Sequence, residues 1–470
     1  MYILVLEAST TSAKAMLYNA ADQTYTTQTN AYPLYFDNPT LHDAENVFQE
    51  MVALGKALCA GKQIEAISLS STWHNVMLCD EDMRPQTPVY LWSNIAATEI
   101  CKRLREDEDY TRSYYRRTGC MVNAIYPSFK LKQLRASGHR LEDYQIIDQG
   151  TYNTFRLTGQ RVVTDCAISG AGFLNIKDKC LDQETLEENG VSESNFAQVI
   201  AYDHSYPLTK EGAACLGLAP GIPVLVSCPD GALNQVGAGA LEQGIMTLSI
   251  GTSGALRIAT PEPILPASSG TWCYLAPGTW LSGAATSGCC NCVDWYKDKM
   301  FGANKTYDDL EAAFNGTFDT PVFLPFLFGE RCPGWRDDRQ AGFFDIAPHH
   351  TQYDFYHSVL EGVLFNLYQN YHVLTGVNGI GRRVKLSGGI ANSPYWSQMC
   401  SDIFALPMEV DNSNHSSLTG AVVLALKALG VIRNLSEFSV EAEKVIHPNP
   451  AKMDLYRTKY ERYLHHYENT

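Results

Sequence analysis

Apolar runs and the residues that interrupt them divide the chain into elements. Ile3 to Leu6 is an uninterrupted apolar run, which predicts a buried strand. The hydroxyl-rich turn Ser9, Thr10, Thr11, Ser12 follows, and a second apolar stretch from Ala13 to Tyr18 leads back to a turn at Asn19 to Asp22. Asp43 is placed to cap a helix whose apolar positions include Val47, Met51, Val52 and Leu58, ending near Gly61. The next strand is predicted over Ile64 to Ser70. Further helices are predicted over Ala96 to Arg105 and over Ser128 to Ala136, the latter stopped by Gly138.

From Gly221 to Gly254 the order reads strand, tight turn, small-residue helix, strand. Glycine and alanine dominate Gly237 to Gly244, so the chain is divided there, into lobes of residues 1–238 and 239–470. Two segments half a chain apart share one design. LEASTTSAKAML and LSIGTSGALRI each give an apolar strand, a turn of hydroxyl and small residues, and a returning strand with a basic side chain. Ser9, Thr10 and Thr11 fall opposite Gly251, Thr252 and Ser253. Two related lobes would then each offer one hairpin to a shared cleft.

A length of 470 residues agrees with that division, because one hydrophobic core rarely serves so long a chain. Apolar residues at 45% and charged residues at 19% provide for a core and make disorder a poor reading. The net charge of -15 opposes a nucleic acid or an anionic membrane as main partner, while leaving an anionic small molecule open, since a pocket can reverse the field locally. The apolar run at the start stops at Glu7 without a basic leader, so the expectation is a cytoplasmic protein with no membrane span. The 14 cysteines then read mostly as free buried thiols. The cluster Cys289, Cys290 and Cys292 lacks the spacing and histidine partners of a zinc site.

A few short segments have the residues for chemistry. Gly251 to Gly254 can turn several backbone N–H groups and hydroxyls toward one anion, or be an ordinary hairpin. Gly388 and Gly389 end an apolar strand and leave no side chain between the backbone and a flat ligand, although close packing asks for the same residues. No GxxxxGK[ST] loop occurs, which excludes a P-loop. Asp230 stands between the strand Val224 to Ser227 and a helix, where a carboxylate can accept a substrate proton or simply cap the helix. Trp73 and His74, with Asn94 beyond them, supply an aromatic face and polar groups suited to a sugar, or to a packed core. Asp345, His349 and His350 have neither ligand spacing nor a third partner and read as structural.

Taken in order, LEASTTSAKAMLY, SSTWHNVMLCDEDMRPQTPVYLW, PDGALNQVGAGAL, LSIGTSGALR, FLPFLFGERCPGW and LSGGIANSPYWSQMCSDIF resemble the FGGY carbohydrate kinases, the gluconate-kinase branch most closely, from Tyr2 to about Leu426. The resemblance implies an α/β, two-lobed actin-like (ribonuclease-H-like) fold with a nucleotide cleft between a sugar-binding and a nucleotide-binding lobe. It implies ATP and Mg²⁺ as cofactors and a sugar or sugar acid as substrate. Asp230 would be the general base, with Trp73, His74 and Asn94 beside it at the substrate. Thr10, Thr11, Lys14, Gly251, Thr252, Ser253, Gly388, Gly389 and Asn392 would hold the nucleotide, and Glu7 with Asp230 the metal. A homodimer is compatible with the sequence and not required by it.

The chain also departs from the family pattern. Glu7 and Ser9 replace the aspartate and glycine of the first phosphate turn, Asn94 and Ala96 replace charged residues, and Asn123 stands where histidine is usual. These departures motivate a second reading, a degenerate sensor that binds sugar or nucleotide without turnover. A third, an actin-fold filament or chaperone protein, is opposed by the GERCPGW and PDGAL segments.

Overall fold

The structure, a computed structural model, describes residues 1–267, 270–313, 319–379, 381, 383–410 and 415–470. Its first sheet is built from β1 (Tyr2–Ala8), β2 (Ser12–Asn19), β3 (Thr24–Ala31), β4 (Ile64–Ser71), β5 (Ser205–Pro207) and β6 (Pro223–Pro229), in the order β5-β6-β4-β1-β2-β3. β1 pairs antiparallel with β2 and parallel with β4, and β6 runs parallel to β4. Full burial of Ile3 to Leu6 on both faces explains their unbroken apolar run. The edge strand β3, TYTTQTNA, is exposed almost throughout and lacks any apolar alternation, so the sequence pattern did not disclose it.

The second sheet repeats this order. It comprises β7 (Ile245–Ile250), β8 (Gly254–Thr260), β9 (Trp272–Ala276), β10 (Thr279–Thr286), β11 (Arg383–Ser387), β12 (Met408–Val410) and β13 (Lys444–Ile446), arranged β9-β10-β8-β7-β11-β12-β13. The central β10-β8-β7-β11-β12 matches β3-β2-β1-β4-β6 of the first sheet in order and in strand direction. This is the doubled ribonuclease-H-like arrangement that the resemblance implied.

Helices cover both sheets. α1 (Ala44–Cys59) starts at Asp43, whose side chain accepts from the Asn46 N–H, and buries Val47, Phe48, Met51 and Val52. Two further helices, α2 (Asp230–Gly237) and α3 (Ser416–Ala428), cross in very close contact where the halves of the chain meet. A Cβ on Gly237 would lie 1.9 Å from the Ser416 carbonyl oxygen, and one on Gly420 would lie 2.0 Å from that of Leu233. Only glycines permit this approach, which accounts for the small-residue character of both helices. Among the described residues no helix is long and apolar enough to cross a membrane.

Candidate active site

The two hairpins point into one cleft. The turn between β1 and β2 delivers Thr10, whose hydroxyl accepts from Trp92 Nε1 at 3.0 Å and shares a 2.7 Å hydrogen bond with the Thr72 hydroxyl. Thr72 follows β4 directly, held by its N–H to the Ala8 carbonyl at 2.9 Å, and its hydroxyl lies 3.4 Å from Asp230 Oδ2. Asp230 is the first residue of α2, after the N-cap Pro229. Its Oδ1 accepts the Gly231 N–H at 2.7 Å and the Trp73 N–H at 3.3 Å. One oxygen is thereby fixed, while Oδ2 has a single long contact and keeps capacity for a further donor or an ion.

These groups line a cavity of about 240 Å³. The first half of the chain contributes Thr10, Thr72, Trp73, His74, Trp92 and Asp230. From the second half come Ser253, Arg257, Trp272, Tyr274 and Arg331. The Trp73 and His74 rings stack at 5.5 Å, the Trp272 and Tyr274 rings at 4.1 Å, and Tyr274 meets Trp73 edge-on. Such walls suit the C–H faces of a sugar.

Burial and the nearby Glu7 charge raise the Asp230 carboxyl to about 6. Burial lowers His74 to about 3, so its ring is neutral at physiological pH. Nδ1 faces the Gly170 carbonyl, an obligate acceptor, and therefore carries the proton. Nε2 is left as an acceptor for a hydroxyl. Arg257 is held down at about 10 by burial, with Asp230 opposing that fall.

A second cavity, of about 400 Å³, lies on the other side of the second hairpin. Its lining includes Cys290, Tyr307, Glu311, Tyr356, Gly389, Asn392 and Trp396. The Cys290 N–H donates to the Gly251 carbonyl at 2.9 Å, which ties this cavity to the turn that delivers Ser253 to the first one. A Cβ at Gly389 would approach the Cys290 sulfur to 3.1 Å, so the absence of a side chain keeps this slot open. Gly388 differs from its neighbour. Its φ is +93°, and a Cβ there would lie 2.4 Å from the Ile250 carbonyl oxygen, so it serves close packing.

The structure thus brings Thr10, Trp73, His74, Asp230 and Ser253 to one cavity and Gly389 and Asn392 to the other. Several residues named from the sequence lie elsewhere. Asn94 is buried, donates to the Thr40 hydroxyl at 2.9 Å, accepts the Ala96 N–H, and does not line the cavity; Trp92 does. Thr11 and Thr252 are exposed, and Gly251 forms the backbone of its turn. Both oxygens of Glu7 are engaged, Oε1 by Lys14 at 2.9 Å and Oε2 by Ser70 at 2.8 Å, and the side chain is 1% exposed. The pair Glu7–Lys14 therefore acts behind the cavity, as a charge close to Asp230 rather than in its lining.

Asn123 donates to Asp337 Oδ1 at 2.7 Å while Arg105 pairs with the other oxygen at 3.0 Å, which fastens the loop after Arg331. His349 and His350 do have a third partner, contrary to the sequence reading. Asp319, 30 positions before His349, contacts it at 2.9 Å, while Asp345 pairs with Arg462 and His466. A partner at that sequence distance leaves no spacing signal. Arg257 and Arg331 were missed as site residues. The signal was the basic side chain on the returning strand in one case and the GERCPGW segment in the other.

The comparisons agree with this geometry. The N-terminal domain model of the FGGY family of carbohydrate kinases matches residues 2–237 and the C-terminal domain model matches residues 246–429. The gluconokinase of Bacillus subtilis (strain 168) is 27% identical, over 93% of this chain and 90% of its own. The gluconate kinase structure from Lactobacillus acidophilus superimposes with a TM-score of 0.93 at 26% identity, covering 99% of this chain and 97% of that one. The ligand-bound xylulose kinase from the same organism gives 0.92 at 26% identity, with the same coverage of both chains. The chain belongs to the FGGY family of carbohydrate kinases and is a sugar kinase.

Proposed function

We propose that this kinase transfers the γ-phosphoryl group of ATP to a hydroxyl of a small sugar or sugar acid, with gluconate the first compound to test and Asp230 the general base. The observation that carries the reading is Asp230 itself, fixed through Oδ1, with only one long contact at Oδ2 and a pKa raised to about 6 at the junction of both hairpins. A base with that pKa is ionised at neutral pH and still accepts a proton readily. ATP supplies the phosphoryl group, which passes to the sugar oxygen as its bond to the β-phosphate breaks. Asp230 Oδ2 takes the hydroxyl proton at that moment. His74 Nε2 accepts from another hydroxyl and, with Trp73 and Tyr274, orients the acceptor. Thr10 and Ser253 offer hydroxyls from opposite sides to the group in transfer.

The adenosine is assigned to the slot beside Gly389, between Cys290 and Trp396, where Asn392 offers an amide. Burial raises Glu311 at the same slot, and acidic groups there favour the base and ribose over the phosphates. Mg²⁺ would arrive with the nucleotide. Of the two carboxylates expected to hold it, Asp230 keeps capacity at Oδ2, which has one contact at 3.4 Å, whereas both oxygens of Glu7 are engaged at 2.9 Å or less. A cytoplasmic setting and the division near residue 238 into sugar and nucleotide lobes belong to this reading.

The test is Asp230→Asn. A positioned base contributes about 10²–10⁴-fold, so kcat should fall by that factor while the KM for sugar changes little. Wild-type turnover in the purified variant would overturn the assignment.

A further inference from the structure

Two arginines line the cavity that holds Asp230, one on a strand and one on a loop. Arg257 projects from β8, donates to the Ser249 hydroxyl at 3.3 Å, and has its Nη2 within 3.7 Å of where a Cβ on Gly231 would lie. Arg331 comes from a loop that is fastened at three points. Glu330 and Arg339 pair at 3.0 Å within it, the Cys332 N–H donates to the Ala285 carbonyl at 3.0 Å, and Asp337 is clamped by Arg105 and Asn123. Neither guanidinium has a carboxylate within 4.0 Å among the described residues, and the Nε of each is buried without a hydrogen-bond partner.

This is an unusual arrangement. Elsewhere in the molecule half-buried arginines have acidic partners, as Arg105 has Asp337 and Arg117 has Asp182. Two like charges facing one small cavity repel each other, and Arg331 adds to burial in loosening the Arg257 proton. A neutral polyol can offer hydroxyl oxygens to the Nε–H groups but no charge to offset the repulsion between the two arginines, of which only Arg257 has Asp230 as a nearby counter-charge. A carboxylate would satisfy them, since its two oxygens match the guanidinium fork.

We infer that Arg257 and Arg331 form a carboxylate-reading subsite, which makes the acceptor a polyhydroxy acid whose carboxylate binds away from the hydroxyl held by Asp230. The inference rests on reading this cavity as the sugar site. Asp230 repels a carboxylate, so the acid can bind in one direction only, with its anionic end at the arginines and a hydroxyl at the base. The same pair would thereby set which end of the substrate is phosphorylated.

The experiment compares gluconate with glucitol, the same carbon chain carrying CH₂OH in place of the carboxylate, and with xylulose. Calorimetric binding without nucleotide and kcat/KM with Mg·ATP are measured for the wild type, Arg331→Gln and Arg331→Lys. The wild type should bind gluconate at least about tenfold more tightly than glucitol, as expected when buried donors lose their partner. Arg331→Gln should weaken gluconate binding by about 10- to 100-fold and lower kcat/KM on gluconate at least about tenfold more than kcat/KM on xylulose, and Arg331→Lys should recover only part of the loss. Equal affinity for gluconate and glucitol in the wild type would overturn the inference. So would an equal loss on acid and neutral acceptors in Arg331→Gln, which would assign the arginines to the phosphoryl group. If gluconate binds through Arg331 but no acceptor turns over, the subsite stands and the Asp230 reading fails. If xylulose turns over and gluconate does not bind, the reverse holds.

Discussion

At the end of β4 in the first sheet stand Ser71, Thr72, Trp73 and His74; at the matching end of β11 in the second stand Gly388 and Gly389. The match follows from the ladders. Glu7 of β1 lies beside Ser70 and Lys14, and Ser249 of β7 lies beside Ser387 and Ala255. One scaffold position has therefore been given opposite chemistry. The first sheet ends in side chains that hydrogen-bond and stack, which a polyol needs. The second ends in bare backbone, which admits a flat group. Behind these ends the contrast recurs, with an ion pair of buried Glu7 and half-buried Lys14 in the first hairpin and serine with alanine in the second. In the proposed reading, one repeated sheet order would serve two different ligands through a few residues at the strand ends.

The largest effect should come from Gly388→Ala. A Cβ there meets the Ile250 carbonyl oxygen at 2.4 Å, and the φ of +93° is strained for any other residue. Strain of about 1–3 kcal/mol and overpacking of about 1–3 kcal/mol both apply, so denaturant unfolding should show a loss of several kcal/mol. Its counterpart Ser71→Ala should cost no more than about 1 kcal/mol, one net hydrogen bond. Gly389→Ala has no positive φ to strain and should instead raise the KM for ATP at nearly unchanged stability. Equal stabilities for the two glycine variants would remove the distinction between a packing glycine and a ligand-facing one.

This distinction was not legible in the sequence, where the two glycines are equivalent neighbours. The strands and helices with strong apolar patterns were legible, β1, β2, β4 and α1 among them, because burial on one or both faces writes itself into composition. The exposed strand β3 was not, since its stability comes from pairing with β2 rather than from its own residues. Within the site, Asp230 and Trp73 stand next to strand ends and could be found from their neighbours in the chain. Asn94 looked suitable by residue type, yet its amide is used by Thr40. Which of two polar groups faces a cavity depends on backbone direction, which residue type does not encode.

The next effect is electrostatic and concerns the first hairpin's ion pair. Burial and Glu7 together hold Asp230 at about 6, above its unfolded value, so the native state favours the protonated form more than the unfolded chain does. With Asp230 as the proposed base, the ionised form would be the active one, and kcat/KM should rise with pH through about 6 and level off above it. Glu7→Gln removes one of the two causes and frees the Lys14 cation, and both changes favour the Asp230 carboxylate. The acid limb should move below about 6, read from kcat/KM profiles. A limb that stays in place would show that the Glu7 charge is screened from Asp230. Stability gives the matching sign. The cost of ionised Asp230 develops as pH rises from its unfolded value through its folded one, so Asp230→Asn should raise Tm above about pH 6 and have little effect below about pH 4.

The smallest effect tests whether the first hairpin can be made to resemble the second by restoring a glycine. In the sequence Ser9 stands opposite Gly251, where the family pattern has glycine, and a side chain on the phosphate side of this turn would narrow the approach to a phosphate. The structure turns the Ser9 hydroxyl inward, where it donates to the Ser12 carbonyl at 2.8 Å and lies 3.2 Å from the Ser12 hydroxyl. The Ser9 N–H donates to the same carbonyl at 3.1 Å. The side chain thus closes the turn and leaves its outer face to Thr10. Ser9→Gly should lose about 1 kcal/mol of stability, one net hydrogen bond together with the added freedom of glycine in the unfolded chain. The KM for ATP should change by less than about threefold, because nothing is removed from the phosphate side. A tenfold improvement would mean that the hydroxyl does stand in the nucleotide's way, and that the first hairpin contacts the phosphates as closely as the second.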